Sequence, residues 1–171
     1  EEIFKVLEGR PEEEEFQRAS KVDNIRYTVV RDREQSDKIV GVAAFHGIAT
    51  TNLYKEFQSI EVVDHIREHT SGRIVLVAAV FFSSQTHIRD VDQLLATETL
   101  AFCMQKDYTY AVFSPYRGYI HERTKGTLKR QGFQLLDNKM SKRPVYVVDM
   151  KAPIVIFQNL ETVLKAPFDQ N

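Results

Sequence analysis

The chain has 171 residues, of which 43% are hydrophobic and 27% are charged. That length suits one domain, and such a composition can bury a core, which excludes a largely disordered chain. Lys and Arg number 23 against 24 Asp and Glu, a formal net charge of -1. This balance argues against nucleic acid or an anionic membrane as the main partner. The longest apolar run, residues 74–82, is far shorter than the roughly 18 residues that span a bilayer.

The single cysteine, Cys103, cannot form an internal disulfide, so we expect a reducing compartment and a cytoplasmic protein. It lies among apolar residues of a predicted helix, which favours a buried, inert thiol over a nucleophile. The sequence begins with Glu1 and shows no signal peptide. We therefore expect one domain over residues 1–171, excised from a longer protein whose other domains are candidate partners.

The first third of the chain alternates predicted helices and strands. Residues 3–7 favour a short strand, and residues 12–20 favour a helix, because Pro11 precedes them and acidic residues fill the first turn. Residues 25–31 and 38–48 are rich in β-branched and aromatic residues, which is typical of strands. The polar segment between them predicts an antiparallel hairpin.

The rest of the chain continues the alternation. Residues 53–69 have apolar residues three and four apart and predict one helix, and the apolar run 74–82 predicts a central strand. The remaining predicted elements are a helix at 91–106, a strand at 108–114, a helix at 120–131 stopped by Gly132, a strand at 145–150, and a tail with a strand at 154–157 and a helix at 159–165. This order predicts an α/β (α+β) domain with a mixed central sheet flanked by helices.

The segment from His121 to Phe133 resembles the fourth helix of the GNAT acetyltransferase superfamily, whose pattern ends in Gly-Phe, as Gly132-Phe133 does here. Further segments resemble other elements of that family: 74–82 its central strand, 91–106 with Leu94-Leu95 its third helix, 108–114 its fifth strand and 145–151 its final strand. The resemblance covers residues 25–151, leaving 53–69 as an inserted helix and 152–171 as an added tail. It implies a GNAT-like fold.

The resemblance also implies a place for acetyl-CoA or another acyl-CoA. In that family, a loop of the pattern Gln/Arg-x-x-Gly-x-Gly/Ala binds the pyrophosphate, because glycines let the backbone approach and a helix N-terminus supplies N–H donors. The corresponding residues 83–92 lack glycine and include Asp90 and Asp92, carboxylates that would repel phosphate. The cofactor-binding residues that the resemblance implies here are Ser84, Gln85, His87 and Arg89.

A catalytic candidate follows from the same comparison. The tyrosine that often serves the family as general acid is replaced by Leu128, which carries no proton to donate. His121 stands where the family often has asparagine, and histidine can transfer protons near neutral pH. The preceding loop residues Tyr116, Arg117 and Tyr119 could bind an anionic or planar ligand beyond a strand's carboxyl end, and an ordinary polar loop is the alternative.

His65 and His69 form a His-x-x-Glu-His pattern. Two histidines four residues apart on a helix can bind one zinc ion together. No third ligand stands out, so we expect an ordinary surface helix end and no metal site.

Three functions stay open at this point. The first is an acyl-CoA-dependent N-acyltransferase acting on a small-molecule or peptide amine. The second is a catalytically degenerate GNAT-fold domain that binds a ligand or another domain of a larger multidomain protein. The third is an enzyme of different chemistry that uses the loop at residues 116–123.

Overall fold

A computed structural model describes residues 1–86, 88–116, 120–136 and 143–151. In these residues it contains six α-helices and six strands. The helices are α1 (Glu2–Leu7), α2 (Glu13–Ala19), α3 (Leu53–Phe57), α4 (Ile60–His69), α5 (Val91–Gln105) and α6 (Glu122–Arg130). The strands are β1 (Arg26–Asp32), β2 (Lys38–Ile48), β3 (Arg73–Phe82), β4 (Tyr108–Phe113), β5 (Gln134–Leu135) and β6 (Tyr146–Asp149).

The strands form one mixed sheet in the order β1-β2-β3-β4-β6-β5. The predicted hairpin is confirmed, since β1 and β2 pair antiparallel. The apolar strand β3 is central, as predicted, and lies between the antiparallel β2 and the parallel β4. Helix α5 provides the crossover between β3 and β4, which parallel neighbours require.

Helices cover both faces of this sheet. Alternate residues of β3 point to opposite faces, so Val75 and Val77 pack into a cluster with Leu100 of α5 and Leu128 of α6. On the opposite face, Ile74 and Leu76 join the side chains of α3 and α4, and Ala78 joins those of α1 and α2. The continuous apolar pattern of β3 is explained by this burial on both sides.

The expectation of a strand at residues 3–7 is wrong, because the chain forms helix α1 there. Its residues Ile3, Phe4 and Leu7 fall on one helical side and pack with the sheet residues Val42 and Ala78. The run is too short for apolar spacing to separate a strand from a single helical turn.

The prediction of one helix at residues 53–69 is also wrong, since α3 and α4 are separate. Gln58 has a left-handed backbone with φ 50° and ends α3. Ser59 then begins α4 by accepting a hydrogen bond from the Val62 N–H at 3.3 Å. This break leaves Ile60 67% exposed, although the apolar spacing placed it on the buried side.

The short strand β5 near the end of the described chain was not predicted. Its two residues pair with β6. The predicted tail elements at 154–157 and 159–165 lie outside the described residues.

Over the described part of the chain, we find no helix with the length and apolar character that crossing a membrane requires.

Candidate active site

The strands β3 and β4 run together and then separate. Their pairing extends from Arg73 and Tyr108 to Val77 and Phe113, and the Ser114 N–H donates to the Val77 carbonyl at 3.3 Å. Beyond that point β3 continues to Phe82 and, within the described residues, pairs with β2 alone. The parallel strands therefore part at their carboxyl ends, where open α/β sheets bind ligands.

A cavity of about 340 Å³ lies where the strands part. Its walls come from the end of β3, the end of β4, the first turn of α6 and the start of α2. Polar and charged side chains of this wall include Glu12, Glu15, Ser84, His121, Arg123 and Thr124. We call this space the wedge cavity. Two of the predicted site residues, Ser84 and His121, line it.

His121 is held at the N-terminus of α6. Its Nδ1 accepts a hydrogen bond from the Arg123 N–H at 3.3 Å, so the side chain caps the helix. In the neutral ring, the proton must then reside on Nε2, because an accepting nitrogen carries no hydrogen. The cap thus leaves Nε2–H as the hydrogen-bond donor of the neutral ring.

The loop after β3 is held by its own hydroxyl groups. The Gln85 N–H donates to Ser83 Oγ at 3.1 Å, and the Ile88 N–H donates to Thr86 Oγ1 at 3.1 Å. The Ser83 N–H donates to the Val40 carbonyl at 2.7 Å. Three backbone donors that a phosphate could otherwise use are therefore engaged within the protein.

The same loop is tied to the turn between β1 and β2. The Thr86 hydroxyl donates to Asp32 at 2.9 Å, and Gln35 Nε2 donates to the Gln85 carbonyl at 3.3 Å. Of the remaining predicted cofactor residues, Gln85 and Arg89 are exposed on this loop, and His87 lies outside the described residues.

The two acids that follow the loop have different positions. Asp90 is exposed and precedes α5 in a left-handed conformation with φ 50°. Asp92 is 4% exposed and faces α6, so the expectation that both acids stand where phosphate approaches is wrong for Asp92. Its carboxylate accepts from Arg123 Nη2 at 3.0 Å and from the Thr127 hydroxyl.

Asp92 remains charged in this buried setting. Burial alone would raise its pKa, but the hydrogen bonds from Thr127 and Arg123, with the positive charge of Arg123, outweigh burial and lower the pKa below its ordinary value. Arg130 adds a second ion pair at 3.6 Å. Asp92 therefore joins α5 to α6 and supports the wall that carries His121.

Leu128, which the sequence resemblance aligns with the tyrosine of the GNAT acetyltransferases, is buried in the apolar cluster beneath α6. It lines a small cavity of about 60 Å³ with Phe113 and Phe133. Leu128 cannot donate a proton. Among the described residues that line the wedge cavity, His121 is the imidazole.

Tyr116 does not line the wedge cavity. Its ring is contacted by the Arg18 guanidinium at 4.1 Å and by that of Arg143 at 5.1 Å. Burial, reinforced by the charge of Glu56, raises the pKa of Tyr116. The residue lines a second, larger cavity next to α2 and α3. Arg117 and Tyr119, predicted to act with it, lie outside the described residues.

His65 and His69 stack at 4.1 Å, and His69 Nδ1 donates to the His65 carbonyl at 2.7 Å. Over the described residues, no group of three His, Cys, Asp or Glu side chains is arranged to hold a metal ion. Glu12 and Glu15 were not predicted as residues of the wedge cavity, because only the packing of α2 against β3 brings them there.

Solved structures of N-acyltransferases share this architecture. Arabidopsis thaliana NAA60 in complex with acetyl-CoA has a TM-score of 0.56 at 13% identity, covering 85% of this chain and 88% of that one. FeeM, an N-acyl amino acid synthase from uncultured soil microbes, has a TM-score of 0.55 at 11% identity, covering 90% and 85%. Drosophila melanogaster polyamine N-acetyltransferase has a TM-score of 0.51 at 10% identity, covering 66% and 70%.

No protein-family model and no curated protein matches the sequence. The structural similarities confirm the predicted fold: the chain has the mixed α/β fold of the GNAT acetyltransferases. Identities this low carry the fold alone, and the chemistry must be argued from the site.

Proposed function

We propose that this chain is an acyl-CoA-dependent N-acyltransferase that binds acetyl-CoA or another acyl-CoA where β3 and β4 part. The observation that carries the proposal is the wedge cavity, which both strands line and which reaches from α6 on one side to α2 on the other. Two reactants can approach such a cavity from opposite sides of the sheet. The acetyl-CoA complex of a protein with the same fold supports this assignment.

The transfer itself exchanges one proton between two atoms. The amine nitrogen attacks the thioester carbon, the carbon–sulfur bond breaks, and the amine loses one proton while the leaving sulfur gains one. We assign the donor of that proton to His121, which lines the cavity at the start of α6; it donates from the imidazolium form, in which Nδ1 also carries a hydrogen and no longer accepts from the Arg123 N–H. Ser84, Gln85, His87 and Arg89 are the proposed contacts of the cofactor phosphates.

A second candidate is a catalytically degenerate domain of the same fold that binds a different ligand or a neighbouring domain. Its supporting observation is the loop after β3. The Ser83, Gln85 and Ile88 amides are already hydrogen-bonded within the protein, so that a pyrophosphate would have to displace these bonds. Leu128 in place of the tyrosine points in the same direction.

Calorimetric titration with acetyl-CoA, and with CoA for comparison, separates the two candidates. The acyltransferase requires saturable micromolar binding, and an absence of binding at millimolar acetyl-CoA would favour the degenerate domain. Release of CoA thiol with a panel of primary amines then measures turnover.

The variant His121→Ala tests the proton donor. We expect kcat to fall by about 100-fold, which is typical for loss of an acid–base group, with the affinity for acetyl-CoA changing little. His69→Ala, which removes an exposed histidine on α4, is the matched control. Unchanged turnover of His121→Ala would remove this residue from the mechanism.

A further inference from the structure

A second cavity of about 800 Å³ lies on the α2 side of the sheet. We call it the acceptor groove. Helix α2 forms one wall, helix α3 forms another, and the end of β2 contributes to the lining. The residues that matter for its chemistry are Arg18, His46, Phe57, Tyr116 and Arg143.

His46 lines this groove and carries an unsatisfied hydrogen-bond acceptor, Nε2, which is itself closed to solvent. The residue is 7% exposed, and its Nδ1 lies 2.9 Å from the Gly47 carbonyl oxygen. A carbonyl only accepts, so Nδ1 carries the hydrogen and Nε2 of the neutral ring is a bare acceptor. Among the described residues Nε2 has no hydrogen-bond partner. A buried acceptor without a donor is costly, and a ligand N–H or O–H that displaces the atoms covering it would satisfy it.

Arg18 brings unused donors to the same groove. Its guanidinium lies over the Tyr116 ring, and Arg143 contacts the same ring. Arg143 is paired with Glu56 of α3. The Arg18 guanidinium makes no hydrogen bond or ion pair to any part of the chain that the structure describes. A guanidinium held against an aromatic ring keeps its N–H groups available to a carboxylate.

The acceptor groove adjoins the wedge cavity. Glu15 lines the wedge cavity and Arg18, three residues further along α2, lines the groove. In the same way Pro115 lines the first and its neighbour Tyr116 lines the second. A molecule bound at the Arg18 and Tyr116 end of the groove therefore lies beside the proposed acyl donor, whereas His46 pairs with Leu76, four residues before the wedge cavity begins on β3.

We infer that the acceptor groove binds an amino carboxylate, with its carboxylate on Arg18 and an N–H donor on Nε2 of His46. Describing this ligand as the acyl acceptor rests on the proposed function, whereas its binding does not. The groove is also lined by the apolar side chain of Phe57 and by the acidic side chains of Asp23 and Glu56. The substituent of the ligand can therefore be either apolar or cationic.

Binding is measured by calorimetry without any acyl-CoA. The probes are two pairs that differ in the carboxylate: L-phenylalanine with phenethylamine, and L-arginine with agmatine. We expect at least one amino acid to bind about 10-fold more tightly than its decarboxylated partner, since a charge-assisted bidentate contact to arginine is lost in the amine. Arg18→Gln should abolish that difference. Arg26→Gln removes an exposed arginine of β1 that lies over Phe102 and serves as the matched control.

A second variant tests His46. His46→Asn keeps an N–H donor near the position of Nδ1 for the Gly47 carbonyl and removes Nε2. We expect this variant to bind the amino acid about 10-fold more weakly than the wild type. The midpoint of its unfolding in urea should stay close to that of the wild type. If the fold is lost, the Arg18 series still decides the question.

Failure of this inference is distinguishable from failure of the proposed function. Equal binding of amino acids and amines, an unaffected Arg18→Gln variant, or no binding of any probe at millimolar concentration would overturn the groove assignment. Acetyl-CoA could still bind and be turned over in that case. Amino acid binding that depends on Arg18 without any acetyl-CoA binding would keep the groove and reject the acyltransferase.

Discussion

Asp92 shows at the scale of one residue how burial changes the meaning of a carboxylate. In the sequence it follows the loop that a phosphate would approach, whereas in the structure it accepts hydrogen bonds from Arg123 and Thr127 of α6. Its role is therefore to hold two helices together. Asp90, two residues earlier, keeps its exposure at the start of α5.

Asp92→Asn should lower the free energy of unfolding by about 2 kcal/mol near neutral pH, because Arg123 and Thr127 lose a charged partner. The partial exposure of Arg123 to water limits the size of this loss. The pKa of Asp92 is lowered in the folded state, so its contribution is present above the ordinary value of 3.8 and is lost as the pH falls through the folded pKa. Urea unfolding of the wild type and the variant at neutral and acidic pH measures this.

Asp90→Asn is the control, since Asn tolerates the left-handed conformation and the site is exposed. It should change stability little at either pH. A difference between wild type and Asp92→Asn that stays constant down to strongly acidic pH would contradict the role of the ionised carboxylate.

Cys103 should be chemically silent in the folded protein. The residue is fully buried, and burial raises the pKa of its thiol to about 12, so that almost no thiolate exists at neutral pH. We expect a thiol-specific disulfide reagent to modify it only after unfolding in guanidinium. The variant Cys103→Ala gives the background signal of the reagent. Rapid labelling of the native protein would contradict the prediction and show that the α5 side of the core opens.

At the scale of elements, the break between α3 and α4 is the clearest departure from the sequence pattern. Apolar spacing of three and four residues continues across it, but Gln58 takes a left-handed backbone and Ser59 caps the next helix. The helices α5 and α6 and the longer strands were predicted to within a few residues, because periodicity accumulates over their length. Short elements such as α1, α3 and β5 were not, because tertiary contacts decide segments this short.

Gln58→Gly should stabilise the protein relative to Gln58→Ala by about 1 kcal/mol. Glycine occupies the left-handed region without the Cβ penalty that alanine carries, and its lower helix propensity does not matter at a helix end. Guanidinium unfolding of the two variants gives the difference. Equal stability, or a more stable alanine variant, would mean that α3 and α4 rearrange when residue 58 changes.

At the scale of the molecule, binding of acetyl-CoA should raise the stability of the whole fold. A ligand at 100 times its dissociation constant adds about 2.7 kcal/mol to the free energy of unfolding, which for a domain of this size corresponds to a rise of about 5–11 °C in Tm. Scanning calorimetry with acetyl-CoA measures it, and adenosine without a phosphate serves as the control ligand.

Asp90→Gly should increase that rise, because the variant removes a negative charge from the loop and glycine accepts φ 50° at this position. Asp92 is left intact, since its removal would loosen α5 from α6. A rise in Tm that is the same for both proteins would place the phosphates away from Asp90, and no rise in either would favour the degenerate domain.

The sequence by itself determined five of the six described strands and the helix α5, since the apolar run of β3, the hairpin strands and the spacing in α5 each repeat a pattern many times. It also pointed to His121 and Ser84, whose positions follow from the ends of those elements. Only the tertiary structure decided that Asp92 is buried against α6 and that Tyr116 stacks with Arg18. It also left Nε2 of His46 without a donor. These contacts join residues distant in the chain, and local periodicity carries no information about which distant side chains meet.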